Sequence, residues 1–180
     1  EGSMTLPVEV VLPTVTSDSA SFQKIAQFST STAFRNSLSR ENVRLALSYF
    51  NGMTVHDGER IDFNKVVGKR TEARGFKKAT EYAGDETIEG VGGGVCQSST
   101  TLYNAILIAG LDIIERSPHS MVVSYISPSN DAAVSDRGKN LIFENNTGHN
   151  VYIFTDVNDK EATVTIYGQR PEYRYELQSV

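Results

Sequence analysis

A glycine-rich segment placed directly before an apolar run is the feature that most constrains how this chain folds. Glycines occupy four of the five positions 90–94, and residues 97–109 then carry Leu, Ala and Ile at helical spacing before Gly110. Glycine permits tight turns, and a glycine just after a helix is a common stop signal. Because both faces of the run are aliphatic, we expect a helix buried on nearly all sides. The pattern predicts a central helix from Gln97 to Ala109.

The rest of the chain predicts one amphipathic helix and many short strands. Ser39 to Phe50 has an N-capping serine, helical spacing and an Asn51-Gly52 stop, and Ser17 to Gln27 has the spacing of a short helix. Strands are expected at 28–34, 53–55, 60–63, 76–82, 86–89, 113–116, 121–126, 140–144, 151–157 and 162–167. Asp57-Gly58 and residues 83–85 are expected to be hairpin turns. This order predicts an α+β fold with a largely antiparallel sheet.

Composition limits the classes of partner. The 180 residues are 39% hydrophobic, which suits one main globular domain. The net charge of −5 argues against attraction to nucleic acid or to anionic lipid. No segment approaches the ~18 consecutive apolar residues of a membrane span, so we expect a soluble chain. A single cysteine excludes an internal disulfide, and by default it favours a cytosolic protein.

Cys96 is the candidate for chemistry because it stands where the glycine segment enters the central helix. Unpaired N–H groups at a helix start stabilise a thiolate, so we expect a thiol pKa below the ~8.5 of a free cysteine. The glycines would let a substrate approach closely, and the N–H of Cys96 could face a developing oxyanion. The alternative interpretation is a small buried hydrophobe, since free cysteines are often buried.

A cysteine nucleophile needs a base, and His119 is the best placed of the three histidines. It follows the central helix and precedes the predicted strand 121–126, so a crossover could return it to the thiol. His56 and His149 are interpreted as exposed turn residues. Asp131, in the next loop, is the candidate to orient the imidazole, although it could simply be a turn former.

Other chemistries lack their usual sequence signals. The cysteine and the histidines show no metal-ligand spacing, so we expect no metal. The glycine segment lacks the third glycine of a dinucleotide fingerprint and there is no P-loop, so we expect no cofactor. The hydroxyl residues 98–101 are interpreted as helix caps rather than nucleophiles.

Several motifs occur in a set order along the chain. They are GKRTEARGF at 68–76, GGGVCQSSTTLYNA at 92–105, ERSPHS at 115–120, Ser124-Tyr125, Asp131-Ala132 and Asn145-Asn146-Thr147. Together they resemble the signature of the VanW family, named for an accessory protein of vancomycin-resistance gene clusters. The resemblance covers about Phe28 to Gly168. Ser98 and Ser129-Asn130 depart from the usual pattern, whereas Cys96 fits it.

The resemblance implies a Gram-positive cell-envelope protein, extracellular and associated with a membrane only through other parts of a longer protein. It therefore reverses the cytosolic default. Residues 1–27 are expected to be an extension from a preceding peptidoglycan-binding-like domain, 28–170 the VanW-like domain and 171–180 a linker. The order Cys, His, acidic residue also resembles transglutaminase-like and papain-like enzymes, by analogy.

Three functions stay open from the sequence. The first is a cysteine peptidase or transpeptidase in which Cys96, His119 and Asp131 act on amides of peptidoglycan stem peptides, with substrate bound by Arg70, Gly93, Gly94, Gln97 and Arg116. The two arginines could instead pair with Glu72 and Glu115 to hold loops together. The second function is a non-catalytic module that binds the cell wall or a partner protein. The third is a structural domain with a buried Cys–His network.

Overall fold

The computed structural model describes residues 22–83 and 86–169. The strands are β1 (Gln23–Ser31), β2 (Met53–Val55), β3 (Arg60–Asp62), β4 (Lys78–Ala83), β5 (Glu86–Val91), β6 (Asp112–Arg116), β7 (Leu141–Glu144), β8 (Val151–Val157) and β9 (Glu161–Gly168). The helices are α1 (Ser37–Ser48), α2 (Phe63–Val67) and α3 (Val95–Ala109), with a 3₁₀ turn at Glu72–Arg74. The predicted linker, and the predicted extension up to residue 21, lie outside the described residues.

The strands form three sheets within this part of the chain. A four-stranded sheet has the order β1-β9-β8-β2, a three-stranded sheet the order β3-β7-β6, and β4 pairs with β5. Every one of these pairings is antiparallel. The predicted α+β fold with a largely antiparallel sheet is confirmed. The strands on either side of the predicted hairpin turn at 83–85 pair with each other, while residues 84 and 85 of that turn lie outside the described residues.

The core lies between the four-stranded sheet and the two longer helices. Helix α3 packs against β1 and β9, and α1 packs against α3 and β8. Alternate residues of β9 point inward and are fully buried, as a strand with one covered face requires. Leu102, Ala105 and Ile106 of α3 are also fully buried. The predicted central helix is confirmed.

The helix ends differ slightly from the prediction. Asn36, rather than Ser39, caps α1, because its side-chain oxygen accepts from the backbone N–H of Ser39 at 2.8 Å. Helix α3 begins two residues before Gln97. Gly110 ends it in the left-handed conformation, as predicted.

Three predicted elements are wrong. Residues 23–27 are strand rather than helix because pairing with β9 satisfies their backbone. Residues 121–126 form no strand and belong to a loop. Asp57-Gly58 closes no hairpin, because β2 pairs with β8 whereas β3 pairs with β7 in another sheet.

No helix among the described residues combines the length and the apolar character that crossing a membrane requires.

Candidate functional site

Cys96 lies in the first turn of α3, after Gly94 as the N-cap residue. Its side chain is partly buried against the hydrophobic core, and Sγ donates a hydrogen bond to the carbonyl oxygen of Val134 at 3.3 Å. Burial raises the pKa of the Cys96 thiol, although the charges of Arg70, Arg35 and Lys139 act in the opposite direction. The predicted lowering of this pKa is therefore wrong, because desolvation outweighs the helix start. The resting thiol is protonated.

His119 and Asp131 are in direct contact. Asp131 Oδ2 lies 2.6 Å from His119 Nδ1 and accepts from the backbone N–H of His119, also at 2.6 Å. An isolated antiparallel bridge between Ser117 and Ala133 explains the pairing, since the same register places 119 opposite 131. Because an ionised carboxylate only accepts, Nδ1 carries the proton and Nε2 is the basic nitrogen.

Arg116 completes the environment of Asp131. It donates from NH2 to Asp131 Oδ1 at 2.7 Å and from Nε to the Asp131 carbonyl at 2.6 Å. Burial by itself raises the pKa of Asp131, but the hydrogen bonds from His119 and the charge of Arg116 outweigh it and lower that pKa. Burial lowers the pKa of His119 despite the opposing effect of Asp131. At neutral pH the pair is therefore a carboxylate beside a neutral imidazole.

The polar first half of α3 anchors the loop that contains Asp131. Ser99 donates to the Ala132 carbonyl at 2.6 Å, and Thr100 accepts from the Ala132 N–H at 3.0 Å. Asn104 donates to the Asn130 carbonyl at 2.8 Å. The interpretation of hydroxyls 98–101 as helix caps is wrong, because no side chain caps α3. Ser99 and Thr100 bind loop backbone, whereas Ser98 donates to the Val43 carbonyl of α1 and Thr101 contacts the Thr30 hydroxyl of β1. The helix that carries Cys96 thus also fixes Asp131.

Tyr125 and Arg35 belong to the site and were missed by sequence reasoning. The Tyr125 ring meets the His119 ring edge-to-face at a centroid distance of 6.4 Å, and the Arg35 guanidinium lies 5.1 Å from the Tyr125 centroid. Burial raises the pKa of Tyr125, and ionisation of Cys96 would raise it further. Tyr125 thus packs against His119 and is sensitive to the charge state of Cys96. Only the Ser124-Tyr125 motif signalled it, and no sequence pattern signalled Arg35.

The two predicted substrate-binding arginines hold loops together, with partners other than the expected Glu72 and Glu115. Arg70 is buried and contacts Asp136 at 2.5 Å, and it donates to the Asn64 side chain at 2.6 Å. The partner of Arg116 is Asp131. Arg70 also acts electrostatically on the Cys96 thiol.

Gly93, Gly94 and Gln97 fix the start of α3. The Gly93 carbonyl accepts from the buried Asn42 side chain at 2.9 Å. Gln97 is fully buried; its amide donates to Thr30 at 2.9 Å and to the Ser31 carbonyl at 2.8 Å, and its oxygen accepts from Arg35. These contacts engage both ends of the Gln97 amide within the protein.

We expect Gly94→Ala to destabilise the domain by about 3 kcal/mol, because a methyl group would lie 2.8 Å from the Ser39 carbonyl oxygen in addition to the strain of a positive φ. Gly138→Ala is the matched control, since Gly138 also has positive φ but nothing lies within 4 Å of the added methyl. Strain alone should then cost about 1–2 kcal/mol. Urea unfolding of both variants measures the difference, and equal losses would show that contact with Ser39 is unimportant.

A cavity of about 250 Å³ lies beside the His119–Asp131 pair. Cys96 is not part of its wall. The other lining residues are Arg116, Pro118, Ser120, Met121, Val122, Val123, Ile126, Ser127, Pro128 and Ser129. Polar and apolar residues thus line this cavity in equal number, and Arg116, His119 and Asp131 are among them.

The remaining candidates lie apart from this site. His56 and His149 are exposed in loops, as predicted. Within residues 22–83 and 86–169, no group of three or more His, Cys, Asp or Glu side chains is placed to hold a metal ion.

Comparisons with known proteins identify relatives of this chain. It is 35% identical over 147 residues to Uncharacterized protein YoaR of Bacillus subtilis (strain 168), which covers 82% of the chain and 48% of that protein. It is 26% identical over 143 residues to Vancomycin B-type resistance protein VanW of Enterococcus faecalis (strain ATCC 700802 / V583), which covers 76% of the chain and 52% of that protein. The chain thus spans about half the length of these curated relatives.

No solved structure matches the chain. Among protein-family models, the one described as VanW like protein matches residues 39–167, which include Cys96, His119 and Asp131. This match covers well over half of the sequence, and the chain belongs to the VanW family.

Proposed function

We propose that this VanW domain is a cysteine-dependent acyl-transfer enzyme of the cell envelope that acts on peptide amides of the wall. The observation that carries the proposal is the His119–Asp131 pair, held on a loop that is anchored to the helix beginning at Cys96. A neutral imidazole oriented by a carboxylate is the base that a protonated thiol requires. The contacts of His119 with Asp131 support the assignment of a base and of the group that orients it.

The proposed reaction begins with transfer of the Cys96 thiol proton to Nε2 of His119. The thiolate then attacks the carbonyl carbon of the amide, and the tetrahedral intermediate collapses with cleavage of the C–N bond. His119 returns the proton to the leaving amine, and Asp131 stabilises the imidazolium in between. Water or a second amine attacks the resulting thioester, which restores the thiol and gives hydrolysis or transpeptidation.

Cell-wall peptide is the proposed substrate class for two reasons. The motif resemblance implies a cell-envelope protein, and a relative carries vancomycin resistance in its name. The cavity beside His119, with its mixed polar and apolar lining, is large enough for a small side chain of such a peptide. We propose an extracellular location on the same grounds.

A structural role for Cys96 is the competing proposal. Its sulfur is partly buried, its hydrogen bond to Val134 uses the proton, and burial raises its pKa. Gln97 and Arg70 are likewise engaged within the protein. These contacts would equally suit a buried polar network without chemistry.

Capture of a covalent intermediate separates the two proposals. We expect wild-type protein incubated with wall peptides and quenched in acid to gain the mass of an acyl group on the Cys96 peptide, which hydroxylamine removes. Mass spectrometry measures the adduct, and Cys96→Ala provides the background. Absence of an adduct, together with protection of Cys96 from iodoacetamide until unfolding, would exclude the enzyme.

A further inference from the structure

The Tyr125 hydroxyl is a buried donor without an acceptor. Its oxygen has no hydrogen-bond partner among the described residues, although it is shielded from solvent. The Thr100 hydroxyl lies beside it, but the contact does not reach hydrogen-bond geometry, and Thr100 gives its own proton to the Ala132 carbonyl and accepts from the Ala132 N–H. Leaving a buried hydroxyl unsatisfied costs folding free energy, so its retention calls for a reason.

The surroundings of Tyr125 hold this hydroxyl near the candidate nucleophile. The Arg35 guanidinium covers one face of the ring, and Arg35 is itself bound by Gln97, the residue after Cys96. The His119 ring packs edge-to-face against Tyr125. Thr100, which lies beside the Tyr125 hydroxyl, comes one helical turn after Cys96 on the same face of α3, so the hydroxyl lies on the side of the helix that carries the thiol.

We propose that the Tyr125 hydroxyl donates a hydrogen bond to the Cys96 sulfur once that sulfur has lost its proton. Tyr125 is thereby a positioning residue that stabilises the thiolate. The inference rests on the proposed function, in which His119 Nε2 accepts the thiol proton. The Cys96 thiolate that forms during the reaction thus provides the acceptor that the Tyr125 hydroxyl otherwise lacks.

Tyr125 suits this role because it is a neutral donor at neutral pH. Burial raises the pKa of Tyr125, so the phenol keeps its proton there. The cations that also act on the thiol are Arg70, Arg35 and Lys139. The other charged groups on this side are the Asp131 carboxylate of the His119–Asp131 pair, Arg116 bound to Asp131, and Asp136 bound to Arg70.

The pH dependence of Cys96 alkylation tests the inference without any substrate. We expect Tyr125→Phe to move the midpoint of the iodoacetamide rate upward by about one pH unit, which slows alkylation about tenfold below the midpoint. Tyr49→Phe is the matched control, because the Tyr49 hydroxyl contacts Arg74 rather than the site. Its midpoint should equal that of the wild type.

Thermal unfolding supplies the second measurement. Because Tyr125→Phe removes an unsatisfied hydroxyl, its melting temperature should equal or exceed the wild-type value. A lower melting temperature or an unchanged alkylation midpoint would overturn the inference. Fluorotyrosine incorporated at position 125, a stronger donor, should shift the midpoint downward, and an upward shift would also refute it.

These readouts separate the inference from the proposed function. A shifted midpoint in protein that turns over no wall peptide would support the Tyr125–Cys96 interaction and exclude the enzyme. Turnover with an unshifted midpoint would support the enzyme and exclude this role for Tyr125.

Discussion

Cys96→Ser is expected to reduce turnover of wall peptides by roughly a thousandfold or more while leaving the fold intact. Serine is nearly isosteric with cysteine, and its hydroxyl can still donate to the Val134 carbonyl that binds the thiol. However, a serine hydroxyl is far less acidic than a thiol, and the lowered pKa of His119 makes that imidazole a weak base. Chromatography of the peptide products and thermal unfolding give the two measurements.

Cys96→Ala provides the control for this experiment. It should be equally inactive but about 1 kcal/mol less stable, because it leaves the Val134 carbonyl without its side-chain donor. If Cys96 is structural, both variants should lose stability. In that case no peptide turnover should depend on the sulfur.

The elements with strong local signals could be predicted from the sequence. Helix α3 is confirmed because its apolar residues recur over several turns and Gly110 marks its end. The predicted strand at 121–126 is wrong for a physical reason. Its apolar residues favour a strand only where another strand is available for pairing. In the structure this segment instead lines the cavity beside His119.

The predicted hairpin at Asp57-Gly58 is also wrong because of contacts between residues that lie far apart in the sequence. Asp57-Gly58 is a good local turn signal, but the buried Asn145 donates to the Val55 carbonyl at 2.9 Å and to the His149 carbonyl at 2.8 Å. The Gly58 N–H in turn donates to the Asn145 carbonyl at 2.6 Å. These long-range contacts direct the two flanking strands into different sheets.

The candidate site could be predicted only in part. The sequence predicts His119 and Asp131 as partners because a nucleophilic cysteine requires a base and the base requires a group that orients it. The Cys96 pKa was misjudged because the sequence shows a helix start but not the depth of burial. Arg35 and Tyr125 lie far apart in sequence, and their stacking depends on the completed fold.

The first half of α3 combines structural and functional roles. It begins at an N-cap glycine packed on Ser39, and the Ser99 and Thr100 hydroxyls bind the backbone of Ala132, directly after Asp131. A change in this half of the helix would therefore move the thiol and the carboxylate together. This arrangement explains why so many buried polar groups are concentrated here, each bound to backbone.

Asp131→Asn should be the most damaging single-atom change in the domain. The variant leaves Arg116 without its carboxylate and offers His119 a group that can donate as well as accept, which favours the wrong imidazole tautomer. We expect turnover to fall by roughly a thousandfold or more, as for loss of an orienting carboxylate in other triads. Stability should fall by about 2–3 kcal/mol, below the range for fully buried pairs because Arg116 is partly exposed.

The pH dependence of this loss identifies its cause. Because the fold lowers the pKa of Asp131, its carboxylate stabilises the protein fully above the ordinary value of ~3.9. That contribution disappears as the pH falls through the folded-state pKa, so the gap between wild type and Asp131→Asn should narrow in acid. Urea unfolding at pH 7 and near pH 3 measures the gap.

Asp159→Asn is the matched control, since Asp159 is 84% exposed and lies 3.4 Å from Arg40. Screening by solvent should keep its effect below about 1 kcal/mol at either pH. An Asp131→Asn loss no larger than that of Asp159→Asn, or a gap that stays constant into acid, would show that the carboxylate does not hold His119 and Arg116 in place. The catalytic assignment of the pair would then lose its physical basis.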